Sequence, residues 1–172
     1  MAFYFFYQAE PKSVWIPALA DERANLIRTK KPALTTVLDV DSTFEEDMSA
    51  EQHAAVRYRG PCYWDIDSEN IESAIEQAKK LLVLIQSKGV DLNMLRCHLS
   101  GGRGVHILMD PAIFMPKVPS NGTPHLPSIY KEMVWSTLFV DDVDLRVYSS
   151  RKGRMLRSPN VQRDDNGAYK VS

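Results

Sequence analysis

Apolar residues recur at Ile71, Ile75, Ala78, Leu82 and Ile85, three or four positions apart, which places them on one face of a helix. Ser68 stands ahead of this run as a candidate N-cap, and Gly89 follows it as a natural stop. Just upstream, residues 62–66 form a short apolar run that predicts a buried strand ending in the acids Asp65 and Asp67. Residues 94–99 and 105–109 predict two strands flanking a Gly-rich turn, and 33–40 predicts another strand. Residues 110–127 hold five prolines and little periodicity, the pattern of a loop or insertion. A helix is predicted over 127–138, and the remainder alternates like paired strands with turns at Gly153 and Gly167. Residues 1–60 mix short apolar runs with prolines and an acidic patch, and their pattern gives no clear order. The succession strand, helix, hairpin, loop, helix, strands predicts an α+β fold whose sheet carries the acids.

A chain of 172 residues, 44% apolar and 25% charged, fits one globular domain with a real core. Its net charge of −1 gives no bulk electrostatic case for nucleic acid. The distribution changes that picture. Six carboxylates lie between Asp39 and Glu51 with no Lys or Arg among them. From Leu145 to Arg163 the chain has Arg146, Arg151, Lys152, Arg154, Arg157 and Arg163, and no acid. A neutral protein so arranged can still present one basic groove to a phosphate backbone. Cys62 and Cys97 are far apart in apolar surroundings and read as buried small hydrophobes in a reducing compartment. The apolar start, residues 2–7, is too short for a signal peptide, and no segment approaches the ~20 apolar residues of a membrane span. A cytoplasmic protein with no membrane partner is expected.

The chemistry concentrates in Ser100-Gly101-Gly102-Arg103-Gly104-Val105-His106. Glycines that free backbone amides, with a hydroxyl, a guanidinium and an imidazole, suit a polyphosphate cradle. Asp65 and Asp67, two apart on a strand, share a face and can bind divalent cations, although a bare pair of this kind is ordinarily a solvated strand end. The apolar lead-in, Cys62-Tyr63-Trp64, argues against that bland reading, since acids on a buried strand need a counter-charge. A third acid is available in the cluster Asp141, Asp142 and Asp144, and spacing alone chooses none of them. Arg154 and Arg157 fall on opposite strand faces unless a bulge intervenes. His106 alternates with Val105 and Ile107, so it faces away from the apolar side; His53, His98 and His125 read as surface or structural. The histidines and cysteines lack metal-ligand spacing, so no zinc is expected. Acidic pair, phosphate loop, third acid and arginines together describe a metal-dependent nucleotidyltransferase. A rival acidic pair, Asp39 and Asp41, sits in a D-x-D-x-T pattern similar to the nucleophile motif of haloacid dehalogenase-type phosphatases. That family needs a long series of strand-helix repeats, which this pattern lacks, so both acids are expected in a surface turn.

In this order, the three blocks resemble the archaeo-eukaryotic primase superfamily, that is, the replicative primase small subunit and the primase-polymerases. Tyr63-Trp64-Asp65-Ile66-Asp67 resembles its first motif and Ser100 to His106 the small-subunit form of its second. Val143-Asp144-Leu145 with Val147-Tyr148-Ser149 resembles its third, and Leu156-Arg157-Ser158-Pro159 the basic strand that holds the incoming triphosphate. The match runs from about Gly60 to Val171.

The resemblance implies a compact two-module catalytic core in which a sheet like that of an RNA-recognition motif carries the acidic triad. Residues 1–59 would form the N-terminal module part and 60–172 the motif-bearing core. It further implies that Asp65, Asp67 and Asp144 bind two Mg²⁺ or Mn²⁺ ions for in-line phosphoryl transfer. Ser100, Gly101, Arg103 and His106 would hold the β- and γ-phosphates, Arg157 would close the cradle, and Arg154 and Arg163 would add nucleotide contacts. Nucleoside triphosphates and a single-stranded DNA template with primer are then the expected partners. Gly102 stands where the small subunit often has another arginine. Asn160-Val161-Gln162-Arg163 stands where a serine and histidine are the pattern, with Arg163 as the replacement phosphate donor. The absent zinc-binding insertion points to a primase-polymerase of a mobile element or phage, and the stop just past the last motif to a core fragment of a longer protein with a fused or associated helicase. A non-catalytic nucleotide- or DNA-binding module is the alternative reading, and an Asp39 phosphatase the third.

Overall fold

The computed structural model describes residues 1–9, 12–43, 48–137, 142–148, 155–162 and 166–171, and these form a mixed α+β fold around two sheets. In chain order the elements are β1 (Ala2–Ala9), β2 (Lys12–Leu19), α1 (Arg23–Lys30), β3 (Leu34–Thr36), β4 (Asp39–Val40), α2 (Ala50–Ala55) and β5 (Arg57–Arg59). There follow β6 (Cys62–Asp67), α3 (Ile71–Ser87), β7 (Leu95–Leu99), β8 (Gly104–Met109), β9 (Thr123–Pro124), α4 (Leu126–Trp135) and β10 (Met155–Arg157). The larger sheet runs β10-β3-β1-β4-β5-β9, with β2 also paired to β1. It therefore draws strands from both ends of the chain. The smaller sheet runs β6-β8-β7. Among the described residues no helix is long and apolar enough to cross a membrane.

The smaller sheet is two-faced because its side chains alternate. Trp64 and Ile66 of β6 and Val105, Ile107 and Met109 of β8 are buried on one face, against Ala74, Ala78, Leu81 and Ile85 of α3. Burying each large aliphatic side chain there contributes roughly 1.5–3 kcal/mol, enough to hold α3 on that face. The opposite face carries Asp65 and Asp67 of β6, His106 of β8, and Arg96 and His98 of β7. The register sets Asp65 across from His106, and His106 across from His98.

Two further segments border this sheet. Val143 bridges Ile66 on the open edge of β6, with Asp144 N–H donating to Asp65 O (2.9 Å) and Asp67 N–H to Asp142 O (3.1 Å). On the other edge Leu99 and Val171 exchange backbone bonds of 2.9 and 3.1 Å. The third acidic block is thus carried beside the first. Tyr148 holds it there. Its hydroxyl donates to Tyr63 O and accepts from Tyr63 N–H (3.3 Å), and the two rings stack with centroids 4.8 Å apart.

Several sequence expectations need correction. The predicted helix exists, but its N-cap is Asn70, whose side chain accepts from Ser73 N–H (2.8 Å). Ser68 instead donates to Asp142 Oδ2 (2.5 Å), tying the end of β6 to the 142–144 segment. Gly89 does follow the helix, with φ +86°. The strand predicted over 33–40 is broken at Val37 and Leu38 into β3 and β4. Residues 145–148, expected as a strand, form a 3₁₀ turn that brings Tyr148 back onto β6. Cys97 is exposed, on β7 at the side of the smaller sheet away from β6, while Cys62 is buried as expected. The segment of five prolines is irregular, apart from a 3₁₀ turn over Pro111–Ile113 and the short β9. Gly153 and Leu138 lie outside the described residues.

Replacing Tyr148 with Phe keeps the stacked ring but removes both bonds to Tyr63, which leaves a buried carbonyl and amide unsatisfied. The expected cost is about 1–3 kcal/mol in urea unfolding. A loss below about 0.5 kcal/mol would show that Tyr148 is not what pins the third acidic block.

Candidate active site

A cleft of about 660 Å³ opens between the two sheets. Its floor is the polar face of the smaller sheet, with Asp65, Asp67, Gly104 and His106, and its rim is the loop of Ser100, Gly102 and Arg103. The facing wall comes from the larger sheet through Leu34 of β3 and Met155, Leu156 and Arg157 of β10. Pairing of Arg157 with Leu34 sets the arginine at this wall. Segments far apart in sequence, β3, β6, the 100–106 hairpin and β10, thus meet at one cleft.

The two acids of the floor are already paired, one with an imidazole and one with a guanidinium. His106 Nε2 lies 3.3 Å from Asp65 Oδ1, both side chains largely buried, and Arg103 Nε lies 3.4 Å from Asp67 Oδ1, both exposed. The exposed pair is worth about 0–1 kcal/mol and is easily exchanged for another partner. The His106–Asp65 pair is shielded from solvent and is the firmer of the two. Among the described residues the buried His106 Nδ1 has no partner, so one hydrogen-bonding position of the ring is unfilled there.

The glycine loop is built differently from an open cradle. Ser100 Oγ accepts from Gly102 N–H (3.3 Å) and Gly104 N–H (3.1 Å), so the hydroxyl turns inward and shapes the loop. Gly101 needs to be glycine: its φ is +80°, and a Cβ there would lie 2.7 Å from Tyr169 O. Gly104 is held as closely, since its Cβ would lie 2.9 Å from Ile66 O. Asn166, which sequence reading passed over, lines the cleft and donates to Gly101 O (3.2 Å).

Asp144 stands opposite Asp65 through its backbone bond, on the segment bordering β6. Among the described residues no three His, Cys, Asp or Glu side chains converge as a metal-holding group. Asp65 and Asp67 nonetheless supply the hard oxygen donors that Mg²⁺ and Mn²⁺ take, and such ions commonly complete their shell with water and substrate phosphate. The donor set fits an ion that arrives with a polyphosphate. Arg154, Arg163 and Asp141 lie outside the described residues.

Asp39 is not in a surface turn. It lies in β4, where Arg23 Nη2 at 2.5 Å and Arg59 Nη2 at 3.4 Å neutralise it. Asp41 is exposed after that strand and accepts from Arg57 N–H (2.9 Å). All strand pairings among the described residues are antiparallel, whereas strand-helix repeats make parallel sheets. His98, read from sequence as surface or structural, faces the same side as His106. Burial, with Lys170, His106 and Arg96 nearby, lowers its pKa to about 4.

No family model and no curated protein matches the chain. Among solved structures it is similar to the polymerase domain of Mycobacterium tuberculosis ligase D in complex with DNA, with a TM-score of 0.47 and 12% identity. That alignment covers 98% of this chain and 62% of the other, so the chain spans less than two thirds of its length.

The depressed pKa of His98 predicts a pH effect with a definite sign. An unfolded chain binds the proton near the ordinary value of 6.5 and the folded one near 4, so stability falls as pH drops through that window. In urea titrations His98→Gln is expected to show a shallower decline between pH 6.5 and 4 than the wild-type protein. Equal slopes would reject the assignment.

Proposed function

We propose that the chain is a template-directed nucleotidyltransferase of the primase or primase-polymerase kind, which starts or extends primers on single-stranded DNA. One observation carries this reading: Asp65 and Asp67, the Ser100–His106 loop and Arg157, from three separate sequence blocks, line a single cleft. The order β6-α3-β7-β8-α4 with residues 142–144 along the open edge of β6 supports an RNA-recognition-motif-like sheet as its floor.

In this reading Asp65 and Asp67, with Asp144 beside them, would hold Mg²⁺ or Mn²⁺. When bound, such an ion supplies charge neutralisation at the triphosphate and a lowered pKa at the attacking 3′-hydroxyl. The chain's own groups do the rest. Arg103 leaves its weak pair with Asp67 for a phosphate oxygen, which frees the carboxylate for the cation. His106 keeps Asp65 oriented and offers the unfilled position of its ring. Arg157 approaches from the opposite sheet, so triphosphate binding draws the two walls together around the reacting atoms. Leu34 and Met155 exclude water from that wall.

A second reading, a module that binds nucleotide or primed DNA without turnover, is favoured by one observation: the three acids do not converge as a ready metal-holding group among the described residues. Nucleotide binding that needs no metal, with no product formed, would select it.

The test is incorporation of labelled nucleotides on single-stranded DNA, with and without primer, in Mg²⁺ or Mn²⁺. Asp65→Asn and Asp67→Asn should each lower synthesis at least ~100-fold while the far-ultraviolet spectrum and melting temperature stay native. Arg157→Ala should raise KM for nucleotide about tenfold, the cost of one charge-assisted phosphate contact, with a smaller effect on kcat. Wild-type rates from either aspartate variant would overturn the proposal.

A further inference from the structure

Beyond the cleft, on the other side of Leu156 and Arg157, lies a second cavity of about 350 Å³ between the same two sheets. Lys170, Arg96, His98, Arg157 and Arg23 line it, and Asp39, the one carboxylate among the described lining residues, is already neutralised by Arg23 and Arg59. With His98 held neutral near pH 7 and Arg23 paired to Asp39, Lys170, Arg96 and Arg157 still make the described lining net positive, in a protein whose net charge is only −1.

Lys170 is the exceptional residue. It is 5% exposed, while its apolar neighbours Tyr169 and Val171 are 48% and 49% exposed. The ordinary arrangement, apolar side in and lysine out, is inverted at this position. Among the described residues its ammonium has no hydrogen-bond partner and no carboxylate within 4 Å. The bridge between Leu99 and Val171 brings it to the edge of β7, beside the face that carries Arg96 and His98. Burial pushes its pKa down to about 8, with Asp65 the acid that opposes the shift and Arg96 the cation that adds to it. A buried, unpaired ammonium is costly unless an anion completes it.

We propose that this second cavity is an anion subsite that takes a phosphate group, with Lys170 at its centre and Arg96, His98 and Arg157 around it. Arg157 and Leu156 wall both cavities, so a phosphate here would be continuous with a substrate in the cleft. Two sources share that chemistry, the polyphosphate tail of a nucleotide and the backbone of a polynucleotide strand.

The experiment measures anion binding by the full chain in EDTA, where neither metal nor turnover enters. Loss of synthesis, or its absence, therefore leaves the result readable. Inorganic tripolyphosphate is titrated calorimetrically, and a labelled single-stranded oligonucleotide is followed by anisotropy over a salt series. Lys170→Met should weaken one of the two about tenfold or more, Lys170→Arg should restore much of it, and the exposed Arg96→Gln should weaken the same ligand. Loss for tripolyphosphate alone assigns the subsite to the nucleotide tail. Loss for the oligonucleotide, with a salt slope smaller by about 0.7, assigns it to the strand. Unchanged binding of both probes by Arg96→Gln and by a natively folded Lys170→Met would overturn the proposal. So would a Lys170→Met variant altered only in stability, which would make the lysine a counter-charge to Asp65. If Lys170→Met does not fold, Arg96→Gln and Lys170→Arg decide alone.

Discussion

An antiparallel strand pair fixes which side chains share a face, and here the pairing of Asp65 with His106 decides the rest of the cleft. Asp67 follows on the same face two residues on, Gly104 lies opposite it, and His98 lines up beyond His106. A slip of one residue in β6 would send Trp64 and Ile66 into the cleft and the two acids onto α3. The register is therefore held by the apolar face, through Trp64, Ile66 and Ile107 against Leu81 and Ala78. Core and site are two sides of one sheet, so the residues that stabilise the fold also aim the carboxylates.

Charge is handled differently on the two sides of β10. In the cleft each carboxylate already has a nitrogen partner, the His106 imidazole at 3.3 Å for Asp65 and the Arg103 guanidinium at 3.4 Å for Asp67. The pairs differ in environment, and that difference assigns them different tasks. Arg103, in water, can change partners at almost no cost, whereas His106, shielded from it, keeps Asp65 in place. Beyond Leu156 the lining is different: Lys170, Arg96 and Arg157 stand there with Asp39 the one carboxylate among the described residues.

Much of this was legible in the chain because local pattern and tertiary fold agree there. The strand ending in Asp65 and Asp67, helix α3, and the hairpin around Ser100–His106 all follow from periodicity and glycine placement. The cap of α3 was misread because Ser68 and Asn70 are both good caps, and only the tertiary bond from Ser68 to Asp142 decides between them. The strand expected over 145–148 gives way to a 3₁₀ turn, since its tyrosine is worth more against Tyr63 than in a ladder. The mixed origin of the larger sheet depends on pairing between distant segments, β10 with β3 and β9 with β5, which short-range pattern does not carry. The β1–β2 hairpin is local, but the mixed apolar runs of residues 1–60 give no clear order. Arg154, Arg163 and Asp141 fall outside the described residues, and the roles expected of them stand as expectations.

Lys170 was invisible for a more instructive reason. In Tyr169-Lys170-Val171 the alternation itself is correct, but its sense is inverted, and periodicity alone gives no sign of direction. The direction comes from the bridge to Leu99, which faces this short segment toward the cationic side of the smaller sheet instead of toward α3. Such an inversion buries a charge and exposes two apolar side chains, both unfavourable in the free protein. It persists because the surrounding backbone pairing over-determines it. In proteins, locally unfavourable placements that the rest of the fold enforces concentrate where a ligand completes them. The same logic separates Lys170 from Arg103: the arginine rests at little cost in a pair it can leave, while the lysine is held at a cost that an incoming anion would remove.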